Sequence, residues 1–332
     1  MSGKPATSQH IADVAQSLTG EAISAPTVRR TLRAVNCWFK VGERRDIRAD
    51  SDANAAFRQK YLQRKRANLN KRTAIRTEVY LDESFCNLHH VAQRTWLLPE
   101  MKRVLPSGKG RRFCIIGAGA ITRVGNHRTR GEWVKGSVKV WAADKAASTA
   151  TGDYHGSFNS EKFERWFGQL CETLSAEYGE CNIIMDGAKY HKRGVDAAPA
   201  KSKNMDTHVK WLLRQGVPAS MLMKKKVLQQ LVEEKRGSAN YETVTIPSKW
   251  GHKVLFTPPY HPELQPIELI WAAIKNLIAK NPCRTMVELE AKIHDGINSI
   301  TSKTWLKAYR HVQNVEEEYM EAMETDEDVL ER

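Results

Sequence analysis

The chain lacks any apolar run long enough to cross a bilayer. The longest, Phe113 to Ile121, falls well short of the ~20 residues that a spanning helix needs. It also lacks an apolar signal core near its N-terminus, so a soluble, intracellular protein with no membrane association is expected. Its six cysteines, Cys37, Cys86, Cys114, Cys171, Cys181 and Cys283, include no C-x-x-C pair and accompany no His cluster at zinc-ligand spacing. Neither a disulfide framework nor structural zinc is therefore expected, and the thiols read as reduced and buried. A phosphate-binding loop is missing too: near Gly108-Lys109, Arg103 stands where the first glycine belongs and Gly110 where Ser or Thr belongs. The Gly117-Ala118-Gly119 turn has Thr122 at its third small position and leads into a segment rich in Gly and Arg that does not read as a helix. Neither an NTPase nor a dinucleotide-binding enzyme fits.

What the chain has in excess is positive charge. Over 332 residues, 52 Lys and Arg against 38 Asp and Glu leave a formal charge of +14, although the stretch from Glu316 to Glu331 is strongly acidic. The body is thus more basic than the total, and a polyanion, nucleic acid first, is the expected partner class. With 41% hydrophobic and 27% charged residues the composition is that of a folded globular protein, and the length suits a large core plus a small module.

The small module is expected over residues 1–48. Ile11, Val14, Ala15 and Leu18 recur at helical spacing before Thr19-Gly20 breaks the pattern. Ser24 then reads as an N-cap and Pro26 as a first-turn residue of a second helix whose Val28, Leu32 and Val35 face inward, leaving Arg29, Arg30 and Arg33 outward. Such a pair fits a helix-turn-helix with a recognition helix for the major groove. Residues 49–76 read as a polar linker helix with Phe57, Tyr61 and Leu62 as its apolar contacts and a basic end, Arg64 to Arg72. From residue 77 to 312, strand patterns at Thr77–Leu81, Arg112–Ala118, Gly136–Ala142, Asn182–Met185 and Lys253–Thr257 mix with helices at Asn159–Tyr178 and from Pro266. A helical insertion at about 195–250 contains a helix pair between Asp206 and Lys235, and 313–332 reads as an acidic tail. Early hairpin strands followed by crossovers make this a mixed α/β sheet flanked by helices.

Three acids stand out. Val79-Tyr80-Leu81-Asp82 is an apolar strand closing on a carboxylate, and Ile183-Ile184-Met185-Asp186 repeats the arrangement. The third lies in Phe256-Thr-Pro-Pro-Tyr-His-Pro-Glu-Leu-Gln-Pro-Ile-Glu268, a strand, a stiff proline loop and a helix start. There Ile267, Ile270, Trp271 and Ile274 form the buried stripe, which leaves Glu268 on a different face. Hard oxygen ligands of this kind suit Mg²⁺ or Mn²⁺. Two such ions roughly 3.5–4 Å apart can activate an attacking oxygen and stabilise a leaving one in an in-line displacement. Crowding the carboxylates should raise at least one pKa, so that metal binding should raise thermal stability.

These residues resemble the catalytic region of mariner-type DDE transposases, in which an Asp follows a first strand, another a fourth, and an acid a P-P-Y-x-P-x-L-x-P-I-E motif. The resemblance spans roughly Thr77 to Lys280, and Ser24 to Val35 looks like the family's second helix-turn-helix. It departs at Gly187, where Asn is frequent, at His261, where Ser is frequent, at Gln265, where Asn is usual, and in the long insertion before Glu268. It implies a ribonuclease-H-like sheet and a triad of Asp82, Asp186 and Glu268 holding two Mg²⁺ or Mn²⁺ ions, with Asp82 bridging them. It further implies a double-stranded DNA substrate comprising terminal inverted repeats and target DNA, a possible homodimer, and, in a eukaryotic host, a nuclear location. Because the family carries two helix-turn-helix units and this chain opens at what looks like the second, an N-terminally incomplete module is expected.

His191 also matches a family position, without an assigned role. His89 and His90 read as structural, and Glu83 should point away from Asp82 if the first strand continues. Lys109, Arg111 and Arg112 before the second strand and Lys275, two turns beyond Glu268, are candidate phosphate contacts. The rival function is a transposase-derived DNA-binding protein that has lost cleavage. Another ribonuclease-H-like nuclease using the same triad is a third reading, against which the proline motif argues.

Overall fold

The computed structural model of the chain describes residues 7–35, 37, 46–92, 100, 102, 104–125, 128–143, 160–194, 198–235 and 241–330. Arg103 and Asn159 lie outside the described residues. The chain divides into two units, Met1–Asp46 and Ile47–Arg332.

In the first unit, α1 (Ser8–Thr19) begins where the Thr7 hydroxyl accepts from the His10 amide and ends at Gly20 in the left-handed region. Ser24 caps α2 (Ala25–Ala34), with Pro26 in its first turn. Two short helices share only one facing seam, and it closes on Ala12 and Val28. The outer ends of the expected stripes stay in solvent: Val14, Leu18 and Val35 are exposed rather than buried. Arg29, Arg30 and Arg33 are exposed as expected.

The second unit is built on a six-stranded sheet in the order β5-β4-β3-β7-β8, with β6 also on β4. The strands are β3 (Glu78–Asn87), β4 (Arg112–Val124), β5 (Arg128–Trp133), β6 (Lys139–Ala142), β7 (Asn182–Met185) and β8 (Lys253–Phe256), preceded by the small hairpin β1 (Leu69–Asn70) and β2 (Thr73–Ala74). β3, β4, β5 and β6 pair antiparallel, whereas β3, β7 and β8 run parallel. One face carries Val79, Leu81, Ile116, Ala118, Ile183 and Met185 beneath α4 (Ser160–Tyr178). The other carries Tyr80, Ile115, Ile121, Ile184 and Leu255 beneath α3 (Asp52–Ala67), α8 (Pro266–Lys280), α9 (Met286–Ser299) and α10 (Ser302–Leu330). Five cysteines are buried and free, but Cys37, expected inside, is exposed.

Several boundaries differ from the sequence reading. β3 does not stop at Leu81, because the antiparallel ladder with β4 continues to Asn87↔Arg112. The Gly/Arg-rich segment before Trp133 is a strand, β5, whose Gly131 is required by close packing: a Cβ there would lie 2.5 Å from Cβ of Trp305. Gly119 on β4 sits under the same indole, where a Cβ would lie 2.0 Å from Cη2 of Trp305. Since Trp305 is fully buried and cannot step aside, Gly119→Ala is expected to cost at least ~1–3 kcal/mol, read as a fall in the urea midpoint.

The expected linker helix is part of the core. Tyr61, Leu62 and Lys65 of α3 are 3%, 1% and 2% exposed, while Phe57, expected to pack, is 43% exposed. Nor does residue 313 begin a separate tail: α10 runs through it, with Val312, Gln313 and Glu316 buried. In the insertion, α5 (Met205–Arg214) and α6 (Lys225–Lys235) share a small core of Val209, Trp211, Leu212, Leu228 and Val232. A third helix there, α7 (Glu242–Ser248), packs on α4 and β8.

Candidate active site

The parallel strands decide where the acids meet. β3 and β7 pair at Val79↔Ile183 and Tyr80↔Ile184, so continuing the same register by two residues sets Asp82 beside Asp186. Asp186 follows the last residue of β7, and Met185↔Phe256 places the Thr257 to Gln265 loop immediately beyond β8. That loop delivers Glu268 in the first turn of α8, which packs over β3. All three acids line one pocket at the carboxyl ends of the parallel strands, where ligands of open α/β sheets bind. Pleating turns Asp82 and Ser84 toward α8 and Glu83 toward the opposite face, as the continuing strand requires.

The electrostatics follow from this crowding. Burial, then the charges of Glu268, Glu83 and Asp186, push the Asp82 carboxyl well above its ordinary range. Glu268 is also raised, by burial and Asp186, against the pull of Lys275. Asp186 goes the other way: burial would raise it, but the hydrogen bond and charge of His191, the Ala188 amide and Lys192 bring it down. His191 would be lowered by burial, yet its bonds to Asp186 and Glu83 lift it to about 9. It lies with Nδ1 2.7 Å from Asp186 Oδ1 and Nε2 3.3 Å from Glu83 Oε1, both ring nitrogens donating.

The proline loop is held by elements that the sequence reading set apart from the catalytic region. Asn54 of α3 donates to the Pro259 carbonyl at 2.7 Å, and Arg58 reaches His261 Nε2 at 3.1 Å. With its proton on Nδ1, His261 donates to Glu263 Oε1 at 2.8 Å, and the Tyr319 hydroxyl of α10 donates to the same oxygen at 2.7 Å. Although burial would raise Glu263, these two bonds bring its carboxyl down to about 2. Tyr260 takes a left-handed φ of 65° under the Arg48 guanidinium, 4.3 Å from its ring centroid.

The other expected contacts divide. Lys109 and Arg111 are exposed, as a phosphate contact needs. Arg112 instead stacks on Phe85 at 4.3 Å. Lys275 faces the sheet rather than solvent, donating to Ser84 Oγ at 2.9 Å. His89 bonds the Gly108 carbonyl, and neither it nor His90 lines the acidic pocket. At Gly187 a Cβ would stand 2.6 Å from Nζ of Lys192, a flexible side-chain end that could shift, and the Lys192 charge helps to lower Asp186.

No curated protein matches the chain. Residues 122–290, which include Asp186 and Glu268 and half of the chain, match the DDE superfamily endonuclease family. The chain belongs to the DDE superfamily endonucleases. Asp82 lies ahead of the matched span and joins this endonuclease's pocket through the β3–β7 register. Among solved structures, the fold is similar to the Mos1 mariner paired end complex with Mn, at TM-score 0.54 and 10% identity over 98% of this chain and 81% of that one. The paired end complex with Mg gives 0.53 and 13% over the same shares. The Mos1 strand transfer complex gives 0.51 and 11% over 98% and 80%. The endonuclease thus has a ribonuclease-H-like fold, and its N-terminal helices are consistent with a helix-turn-helix-like module.

The donor set suits a hard divalent cation, being three carboxylates plus Gln265 Oε1, a buried oxygen in the same pocket with no partner among the described residues. Among those residues no three acidic, His or Cys side chains are already drawn together to ion-holding distance. A divalent cation held among these carboxylates would offset their mutual repulsion.

Proposed function

We propose that this endonuclease is a mariner-type DNA transposase that hydrolyses phosphodiester bonds at the ends of a transposable element and joins the freed 3′-OH to target DNA. The observation that carries the reading is the convergence of Asp82, Asp186 and Glu268, from three separate elements, on one pocket. Two Mg²⁺ or Mn²⁺ ions held there would supply Lewis acidity to the attacking and leaving oxygens. Asp82, Asp186 and Glu268 would together hold such ions. The hydrogen bonds on the proline loop fix where Glu268 enters. In the first step water adds to phosphorus as the bond to the 3′ oxygen breaks and that oxygen takes up a proton. In the second, the freed 3′-OH attacks a phosphorus of target DNA, the bond from that phosphorus to the target strand's own 3′ oxygen breaks, and the leaving oxygen takes up the proton that the attacking hydroxyl gives up. No covalent enzyme intermediate is required.

Arg29, Arg30 and Arg33 on α2 would enter the major groove of a terminal inverted repeat, with Lys109 and Arg111 meeting backbone phosphates. Homodimers would bring two element ends together. A DNA substrate places the protein in the nucleus of a eukaryotic host.

Labelled DNA bearing the flanking inverted repeat, incubated with Mg²⁺ or Mn²⁺, is expected to be cut and joined by the wild type. Asp82→Ala, Asp186→Ala and Glu268→Ala should each be inactive while still binding the repeat. A wild type that binds the repeat and never cuts it would sink this reading in favour of a DNA-binding descendant of a transposase.

A further inference from the structure

Asp186 stands on a loop, its side chain 48% exposed, where a carboxylate is free to turn. Yet Oδ1 accepts twice, from the Ala188 amide at 3.2 Å and from His191 Nδ1 at 2.7 Å. Oδ2 accepts from no described residue. His191 itself is 1% exposed and cannot follow a moving partner. Its ring lies 4.3 Å from that of Phe163 and 4.2 Å from that of Tyr190, and its carbonyl accepts from Thr243 Oγ1 at 2.6 Å. Its far nitrogen meets Glu83 Oε1 at 3.3 Å, while Glu83 Oε2 accepts from the Tyr190 hydroxyl at 2.9 Å. Glu83, next to Asp82 in sequence, thus has both oxygens engaged on the opposite face of β3.

We infer that His191 is a positioning residue: anchored by Glu83 and Tyr190, it holds Asp186 with Oδ2 alone presented to the acidic pocket. The same chain of bonds divides two adjacent acids, giving Asp82 to the site and Glu83 to its support. The inference rests on the reading of Asp186 as a cation ligand and goes beyond it by naming what aims that ligand. Groups that orient metal ligands are worth ~10–100-fold in metal affinity when removed. A histidine that only filled space beneath α4 would change stability and leave the affinity of the folded protein alone.

Calorimetric titration of Mn²⁺ into the full chain separates these roles. His191→Ala is expected to bind Mn²⁺ ~10–100-fold more weakly than wild type. His191→Asn, which keeps a donor near Asp186 but loses the reach to Glu83, should recover part of that loss. Glu83→Gln, which still accepts from His191, should stay nearest to wild type. Should His191→Ala not fold, judged by circular dichroism, His191→Asn and Tyr190→Phe carry the same comparison. Unchanged affinity in folded His191 variants, alongside weakened binding in Asp186→Asn, would overturn the positioning role and leave the site standing. Unchanged affinity in Asp186→Asn would overturn the ligand reading itself.

Discussion

Asp82→Asn is expected to abolish cleavage while making the metal-free protein more stable than wild type. The ionised Asp82 is opposed by burial and by three neighbouring carboxylates, which raise its pKa in the folded state above the unfolded value. Between those two values the folded chain binds more protons than the unfolded chain, so stability falls as pH rises through that window and stays lower above it. Asparagine has nothing to ionise and removes the penalty. On the proposed reading the same substitution also takes away a metal ligand, and several kcal/mol of lost Lewis-acid assistance corresponds to at least ~10³-fold in rate. Metal should reverse the order of stability: at a hundred times its Kd an ion bound only by the folded state contributes ~2.7 kcal/mol, which the variant largely forgoes. Melting curves at pH 7.5 with and without Mn²⁺ check this. A variant that melts below wild type in EDTA, or one that gains as much from Mn²⁺, would contradict the account.

The architecture was legible where one rule governed a segment. Asn182–Met185 is apolar on both faces because it is a central parallel strand, and the Ile267, Ile270, Trp271 and Ile274 stripe is a helix face over a sheet. Segments that serve a neighbour's shape were opaque. β5 is absent from the expected strands, and its Gly131 makes room for Trp305, a contact with no local signature. α3 reads as a linker because, of its inward row Asn54, Arg58, Tyr61, Leu62 and Lys65, only Tyr61 and Leu62 are apolar, too few to mark a core helix. The helical spacing of the polar members was the remaining signal.

The candidate site was legible to a similar depth. Each acid follows or interrupts an apolar strand or opens a helix, and the register accounts for their meeting. The supports were not visible, because Arg58, Tyr319 and Glu83 act across long sequence separations and each reads locally as an ordinary surface charge or ring. Gly187 is the instructive middle case. It departs from the usual Asn, and its neighbour, the end of the Lys192 side chain, is identified only when the following turn is folded.

The cluster that joins α3, β3 and α10 should make stability depend on pH in a direction opposite to that of most carboxylates. Lys65 is 2% exposed and donates to Glu78 Oε2 and the Tyr80 hydroxyl, each at 2.5 Å, while Asn68 completes Glu78 at 3.0 Å. One lysine cannot serve two acids equally: Glu316, 4% exposed, is left 3.9 Å from it. Burial would raise Glu78, but Lys65 wins and lowers it, whereas burial raises Glu316 to about 7 in spite of Lys65. From the unfolded value of 4.5 up to about 7 the folded chain therefore holds the Glu316 proton that the unfolded chain releases, and stability falls across that window. At ~1.4 kcal/mol per pH unit the loss approaches ~3 kcal/mol. Glu316→Gln should abolish it, so that the variant gains on wild type between pH 5 and 8 in urea titrations. Parallel pH curves for the two proteins would show that Glu316 is not the cause. Lys65→Met is expected to act more severely, at ~3–5 kcal/mol, since it strands Glu78 as an uncompensated buried charge. Adding Glu78→Gln to it should recover most of that loss if charge, rather than packing around the lysine stem, is what the cluster supplies.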